Sequence, residues 1–328
     1  MFHGKIDSTT AKGLKELTKR IEQAKIPSSK LDETINIATW NIREFGRKPR
    51  RKESLHFIAE VLGQFDLIAV CEVRKNLSEL KTVMDILGPY WRVVYSDFVP
   101  DRGGNEERIA YLYDKRAVSF TGLAAEADPP RVKKEGTNEY LTDFNWWRSP
   151  YIASFSAGNF DFVLITAHIR CGKDENDRLI ELQRLAKWVE ERRKEVYTID
   201  KDIIVMGDFN IPDLKGELYK AITNKGKGLL LPKALANLDI GSNLEKNKRY
   251  DQILHYPSES NVFTNKGGVL DFYISEREIP KLYIKNPPVK LKFTYEMSDH
   301  LPLWIQLNVD TSAEKLDQII KAGKKKDG

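Results

Sequence analysis

Cysteine is nearly absent from this chain: Cys71 and Cys171 are the only two among 328 residues. Two cysteines in unrelated stretches imply no disulfide framework of the secreted kind, and each lies in or beside an apolar run, where a small buried thiol is expected. Long hydrophobic runs are also missing, since a membrane helix needs about 20 apolar residues in succession. The opening MFHGKIDSTTAKG lacks the apolar run and small-residue cleavage site of a secretory signal, so an intracellular, cytoplasmic setting is expected. Neither sign of charge dominates. Fifty-three basic against 48 acidic residues leave +5, so any attraction for nucleic acid must come from local patches rather than the overall field. No internal repeat is present.

What remains suits a globular chain with a sizeable interior, at 41% hydrophobic and 31% charged residues. Three regions are expected: a helical extension over 1–30, a main domain over 31–310, and a short helix with a basic tail over 311–328. The spacing of Leu14, Leu17 and Ile21 predicts an amphipathic helix over 8–26, capped by Ser8, Thr9 or Thr10 and ended by Pro27. From Ile35 onward the pattern changes to short β-rich runs: INIATW, DLIAVCEV, WRVVYS, RIAYLYD, YIASFSA, DFVLITAHI, DIIVMGDFN, VLDFYIS and PLWIQLNV. Many are apolar over successive residues, so both faces of the sheets must be covered, with helices outside. Leu179, Leu182, Leu185, Ala186 and Val189 recur with helical period and supply one such cover. Residues 121–147, with Pro129 and Pro130, read as a long surface loop placed to lie over a groove or as an idle insertion. The lysines of KAGKKKDG read as a solvated end.

Polar residues recur where the apolar runs stop. TWN ends at Asn41, CEV contains Glu72, TAH ends at His168, MGDFN carries Asp208 and Asn210, and SDH carries Asp299 and His300. A Gly-Asp turn explains MGDFN alone, and a buried histidine satisfied by backbone explains His168 alone. Together they form the inventory of phosphodiester hydrolysis: oxygen ligands for a hard cation, an oriented base, and donors for phosphoryl oxygens. Glu72 and Asp299 suit Mg²⁺, which keeps several waters and needs only one or two carboxylates. Asn41 and Asn210 can offer a carboxamide oxygen to the ion or an amide hydrogen to phosphate.

These residues carry a family resemblance. NIREFG, CEVR, ERIAYLY, RSP, TAHI, GDFN, YDQIL and SDHLPLWIQL follow one another between Ile35 and Val309, and in that order the chain resembles the endonuclease/exonuclease/phosphatase superfamily, most of all deoxyribonuclease I. The resemblance implies an α/β fold, a four-layer α-β-β-α sandwich of two mixed β-sheets covered by helices. It implies a Mg²⁺-dependent phosphodiesterase, with Mn²⁺ an alternative ion, acting on DNA, duplex favoured, as an endonuclease leaving 3′-hydroxyl and 5′-phosphate ends. Glu72 is implied as the principal metal carboxylate, with Asp299, Asp208, Asn210 and Asn41 around metal and phosphate. His168 with Glu107 and His300 with Asp251 are implied as acid–base pairs, with Asp208 as the alternative base and Arg108 and Arg148 as phosphate clamps.

Several assignments stay open at this level. Glu106 neighbours Glu107, and a one-residue slip would exchange the inward carboxylate. Asp271 in GVLDFYIS competes with Asp251 for His300. Trp146, Trp147 and Tyr140 either stack on bases or pin the loop, and RKPRRK from Arg47 to Lys52 is either a phosphate-contacting edge or a solvated turn. Cys71 stands where relatives carry glutamine or asparagine before the metal glutamate. Two other functions compete: the same site acting on a phosphoinositide or other small phosphorylated substrate, and an inactive binding scaffold. No membrane or protein partner is implied.

Overall fold

The computed structural model describes residues 1–98, 106–172, 174–256, 262–313, 316–317 and 319–320. The basic tail, and part of the helix expected after Ser312, lie outside them. In chain order the elements are α1 (Ser8–Gln23), β1 (Thr34–Phe45), α2 (Lys52–Leu62), β2 (Leu67–Arg74), α3 (Ser78–Leu87), β3 (Trp91–Tyr95), β4 (Glu107–Asp114), β5 (Ser119–Glu126), β6 (Arg131–Lys133) and β7 (Tyr140–Thr142). Then follow β8 (Tyr151–Ala157), β9 (Phe160–His168), α4 (Glu175–Lys194), β10 (Ile203–Asp208), α5 (Glu217–Ile222), α6 (Lys233–Ala236), β11 (Asp251–His255), β12 (Phe263–Val269), α7 (Ile279–Leu282), α8 (Lys290–Glu296) and β13 (Leu303–Asn308).

Two mixed sheets form, ordered β12-β13-β1-β2-β4-β3 and β11-β10-β9-β8-β5, and a small hairpin pairs β6 with β7. Among the described residues only β1 with β2 and β9 with β10 run parallel. Period-two alternation sorts the buried side chains. Along β9 and β10, Leu164, Ile204 and Met206 join the core between the sheets. Val163, Ile165, Ile203 and Val205 instead pack outward with Leu182, Leu185 and Val189 of α4. All six residues of β10 are therefore buried, because a helix covers the face the other sheet does not. Leu14, Leu17 and Ile21 of α1 belong to the larger core, which completes the four-layer sandwich.

Several boundaries differ from expectation. Asp7, not Ser8, Thr9 or Thr10, caps α1, its Oδ1 accepting from the Thr9 and Thr10 amides at 2.9 and 2.8 Å. The helix stops at Gln23, ahead of Lys25 at φ +49°. Residues 121–147 are not a plain loop: β5 pairs with β8, and β6 and β7 make an exposed hairpin. An edge strand and an exposed hairpin bury no alternating face, so no periodicity announces them. VLDFYIS contributes only its first residue to β12, and Cys171 is exposed while Cys71 is buried. No helix among the described residues is long and apolar enough to cross a membrane.

Candidate active site

Strand register brings the polar ends of the runs together. Asp208 on β10 stands beside His168 on β9 and Asp251 on β11, and Arg74 on β2 stands beside Glu107 on β4. Asn41 on β1 is level with Cys71 on β2 of the same sheet, and its Nδ2 donates at 3.0 Å each to Glu72 Oε1 of that sheet and, across to the other sheet, to Asp208 Oδ2. Local backbone makes this possible. The ladder of β2 shifts between Val70 and Val73, and Glu72 there adopts φ +62°, a conformation disfavoured for residues with a Cβ. Gly207 has φ +135°, and a Cβ on it would meet the Ala167 carbonyl at 2.1 Å, so only glycine lets β10 approach β9 here.

The centre is built around Asp208. Its Oδ2 lies 3.6 Å from His168 Nε2 and 3.6 Å from His300 Nε2. Behind each ring stands a carboxylate: His168 Nδ1 is 2.7 Å from Glu107 Oε2, and His300 Nδ1 is 2.7 Å from Asp251 Oδ2. Such pairing fixes the tautomer and the ring direction. Burial disfavours charge on Glu107, but His168, Arg148 and Arg74 outweigh it and hold the carboxyl down at about 2. Burial and Arg148 act against a charged His168, yet Glu107 and Asp208 raise it. His300 is raised well above its usual value because Asp251 and Asp208 overcome burial, and burial pushes the Asp251 carboxyl up, so that pair retains a proton between its members.

Arg148 bonds Glu107 through Nε at 3.0 Å and Nη2 at 3.2 Å. Asn210, at φ +51°, donates its amide nitrogen to Asp208 Oδ1 and its Nδ2 to the Ile169 carbonyl. Ser298 Oγ donates to the Asn41 carbonyl and accepts the His300 amide, coupling the start of one motif to the end of another. Thus Asn41, Glu72, Glu107, Arg148, His168, Asp208, Asn210, Asp251 and His300 converge on one rim of the sandwich.

Other candidates are placed differently. Asp299 is 41% exposed and pairs with Arg43 at 3.3 Å; it belongs to neither carboxylate–histidine group, because its neighbour His300 takes the inward position. Arg108 lines the cleft beside Glu107, Arg148 and His168, but its guanidinium turns to the Arg74 and Lys75 carbonyls and stacks on Phe98. Glu107 faces His168 while Glu106 pairs outward with Lys75. Asp271 pairs with Lys246. Trp146 donates to the Ala127 carbonyl and so pins its segment, whereas Trp147 and Tyr140 are exposed. The basic run splits: Arg50 is buried on Glu79, and Arg47 and Lys48 face out. Arg74 was not singled out from the sequence. It reaches Glu107, Glu72 and Glu44 at 3.3, 3.5 and 3.7 Å, and its only signal was its place in CEVR, two residues after Glu72.

The donor set fits a hard divalent cation. Glu72, Glu107 and His168 form one group with ligand atoms within 4.8 Å of one another, and Asp208, Asp251 and His300 form a second. Four carboxylates, Glu72, Glu107, Asp208 and Asp251, supply the hard oxygen donors that such an ion takes, while both Nδ1 atoms are engaged by carboxylates and each Nε2 faces Asp208. Asn41 Oδ1 is buried beside Glu72 with no hydrogen-bond partner among the described residues, an arrangement that costs free energy unless something binds there.

The sequence profile of the Endonuclease/Exonuclease/phosphatase family matches residues 38–300, from β1 to His300. The chain belongs to that family. Among curated members it is similar to a deoxyribonuclease of Thioalkalivibrio sp. (strain K90mix), 24% identical over 300 residues that span 87% of this chain and 74% of the relative. Among solved folds it resembles a mannosyl-6-phosphatase of Bacteroides thetaiotaomicron VPI-5482, with TM-score 0.54, 20% identity, and 83% and 99% of the two chains covered. It also resembles truncated TDP2 of Caenorhabditis elegans, with TM-score 0.51, 13% identity, and 84% and 97% covered. The chain is thus a hydrolase of the endonuclease/exonuclease/phosphatase superfamily.

Proposed function

We propose that this family member hydrolyses phosphodiester bonds of DNA with a divalent cation, Mg²⁺ or Mn²⁺, acting as an endonuclease that leaves 3′-hydroxyl and 5′-phosphate ends. The observation that carries the reading is the symmetric centre: one buried aspartate at 3.6 Å from two imidazoles, each backed by a carboxylate at 2.7 Å. Two proton-handling groups facing one anion suit a reaction in which water loses a proton and an alkoxide gains one. Likeness to a deoxyribonuclease supports DNA as substrate.

Glu72 and the Asn41 carboxamide oxygen would hold the cation, with Asp208 alongside. Bound there, the ion supplies positive charge against the phosphoryl oxygens. Asp208, or the His168–Glu107 pair it touches, takes the proton of the attacking water. His300, held by Asp251, donates toward the leaving 3′-oxygen. Arg148 and the Asn210 carboxamide orient the phosphate by hydrogen bonds.

Supercoiled plasmid incubated with Mg²⁺ tests this. Nicked circles that polymerase extends without prior end repair, and their loss with a chelator, are expected. Intact plasmid beside phosphate release from a sugar phosphate or a phosphoinositide would replace the reading with a phosphatase.

A further inference from the structure

The chain has five histidines, and two that the active site does not use meet elsewhere. His56 lies on α2, one helical turn before Glu60, and His3 comes down on both. His3 Nδ1 is 3.0 Å from His56 Nδ1, and His3 Nε2 is 3.0 Å from Glu60 Oε2. The ring centroids are 5.2 Å apart. His3 is held by its neighbours. The Phe2 amide donates to the Ile86 carbonyl at 2.6 Å, and the Phe2 ring and Met1 lie so close over Gly88 and Gly63 that a Cβ at either glycine would come within 3.0 Å of them. With 23% of its side chain exposed, His3 is reachable from solvent.

The tautomers follow from the partners. A carboxylate only accepts, so Glu60 keeps the proton of neutral His3 on Nε2 and leaves Nδ1 as a lone pair aimed at His56. One proton, that of His56 Nδ1, then sits between two nitrogen lone pairs. We propose that a borderline divalent transition-metal ion, Zn²⁺ foremost, takes that proton's place, ligated by His3 Nδ1 and His56 Nδ1, with Glu60 behind His3. The displaced proton moves to His56 Nε2, so the ring stays neutral. A tetrahedral ion with nitrogen ligands at about 2.0–2.1 Å separates them by roughly 3.3 Å, so the rings part by a few tenths of an ångström and tilt until both lone pairs meet the ion, and water fills the two positions the protein leaves open. A carboxylate receiving the second N–H of a ligating imidazole is the arrangement that orients such ligands. Imidazole nitrogens select Zn²⁺, Ni²⁺ or Cu²⁺ over Mg²⁺, which sets this site apart from the oxygen-rich centre. Its effect is to clasp residues 1–3 onto α2. The inference does not depend on the proposed nuclease activity.

Zn²⁺ titration of the full chain against a chromophoric chelator, with Mg²⁺ in excess, tests it. The parent is expected to take up one Zn²⁺ that His3→Ala and His56→Ala each lose, with affinity down at least tenfold, and Zn²⁺ is expected to raise the unfolding temperature of the parent alone. Glu60→Gln is expected to weaken binding about tenfold. His56→Gln, which keeps volume but removes the ligand nitrogen, serves if the alanine variant misfolds. Zn²⁺ uptake unchanged in all variants, or lost with His3→Ala but kept without His56, overturns the proposal.

Discussion

Glu72 and Asp299 show how much neighbours decide at the scale of a single residue. Both are carboxylates at strand ends, yet Glu72 accepts from Asn41 Nδ2 and the Glu44 amide at 3.0 and 2.8 Å, while Asp299 faces solvent and Arg43. Glu72→Gln is expected to lower Mg²⁺-dependent plasmid cleavage by about 10²–10⁴-fold, and His168→Ala by a similar factor. Asp299→Asn is expected to cost far less. Initial rates at saturating Mg²⁺ check the order, and equal losses in Glu72→Gln and Asp299→Asn would reverse the assignment. The same site sets a pH dependence in chelated protein. Glu107 is held at about 2 against a usual 4.5, so its contribution is present above about 4.5 and is lost as pH falls toward 2. His168 and His300 are raised above 6.5; their contribution is complete below that value and is lost as pH rises through the folded values. The unfolding temperature is therefore expected to peak in the weakly acidic range, with Glu107→Gln flattening its acid limb. A steady climb through neutral and alkaline pH would contradict this.

Elements differ in how plainly they were written. The buried runs of β9 and β10 and the helical period of α4 were legible because each face they bury is continuous. Leu182 is fully buried in the outer core, and Leu182→Ala is expected to destabilise the fold by about 2–5 kcal/mol, read by urea unfolding. In contrast, β5 and the β6–β7 hairpin are mostly exposed, so nothing in the side chains marked them. Replacing the hairpin by a short turn is expected to leave the urea midpoint within the error of the parent. Site residues followed the same division. Polar groups closing apolar strands stood out in the sequence, as did the family order of motifs. The choice of Glu107 over Glu106 required the β4 register, and the role of Arg74 required the shift in β2 that turns it toward Glu107 and Glu72.

Across the whole molecule the site exists because two sheets end at one rim. Asn41 reaches from the first sheet to Asp208 on the second, and Ser298 ties β1 to the turn bearing His300. Arg74 is committed to Glu107, Arg148 shares its guanidinium between Glu107 and the phosphate it is proposed to orient, and the net charge is only +5. DNA affinity is therefore expected to rest on few phosphate contacts. About two contacts give a log–log salt slope near −2, measurable by anisotropy with a duplex in chelator, and a slope several times steeper would require a basic surface larger than this rim. By itself the sequence determined the kinds of element and the chemical kinds at their ends, because burial demands apolar periodicity and buried polar groups stand out against it. The resemblance implied which carboxylate serves which imidazole, but only the tertiary structure excluded Glu106 and Asp271 and decided which of Asp299, Arg108 and Arg74 faces inward, because those choices depend on register between strands far apart in the chain.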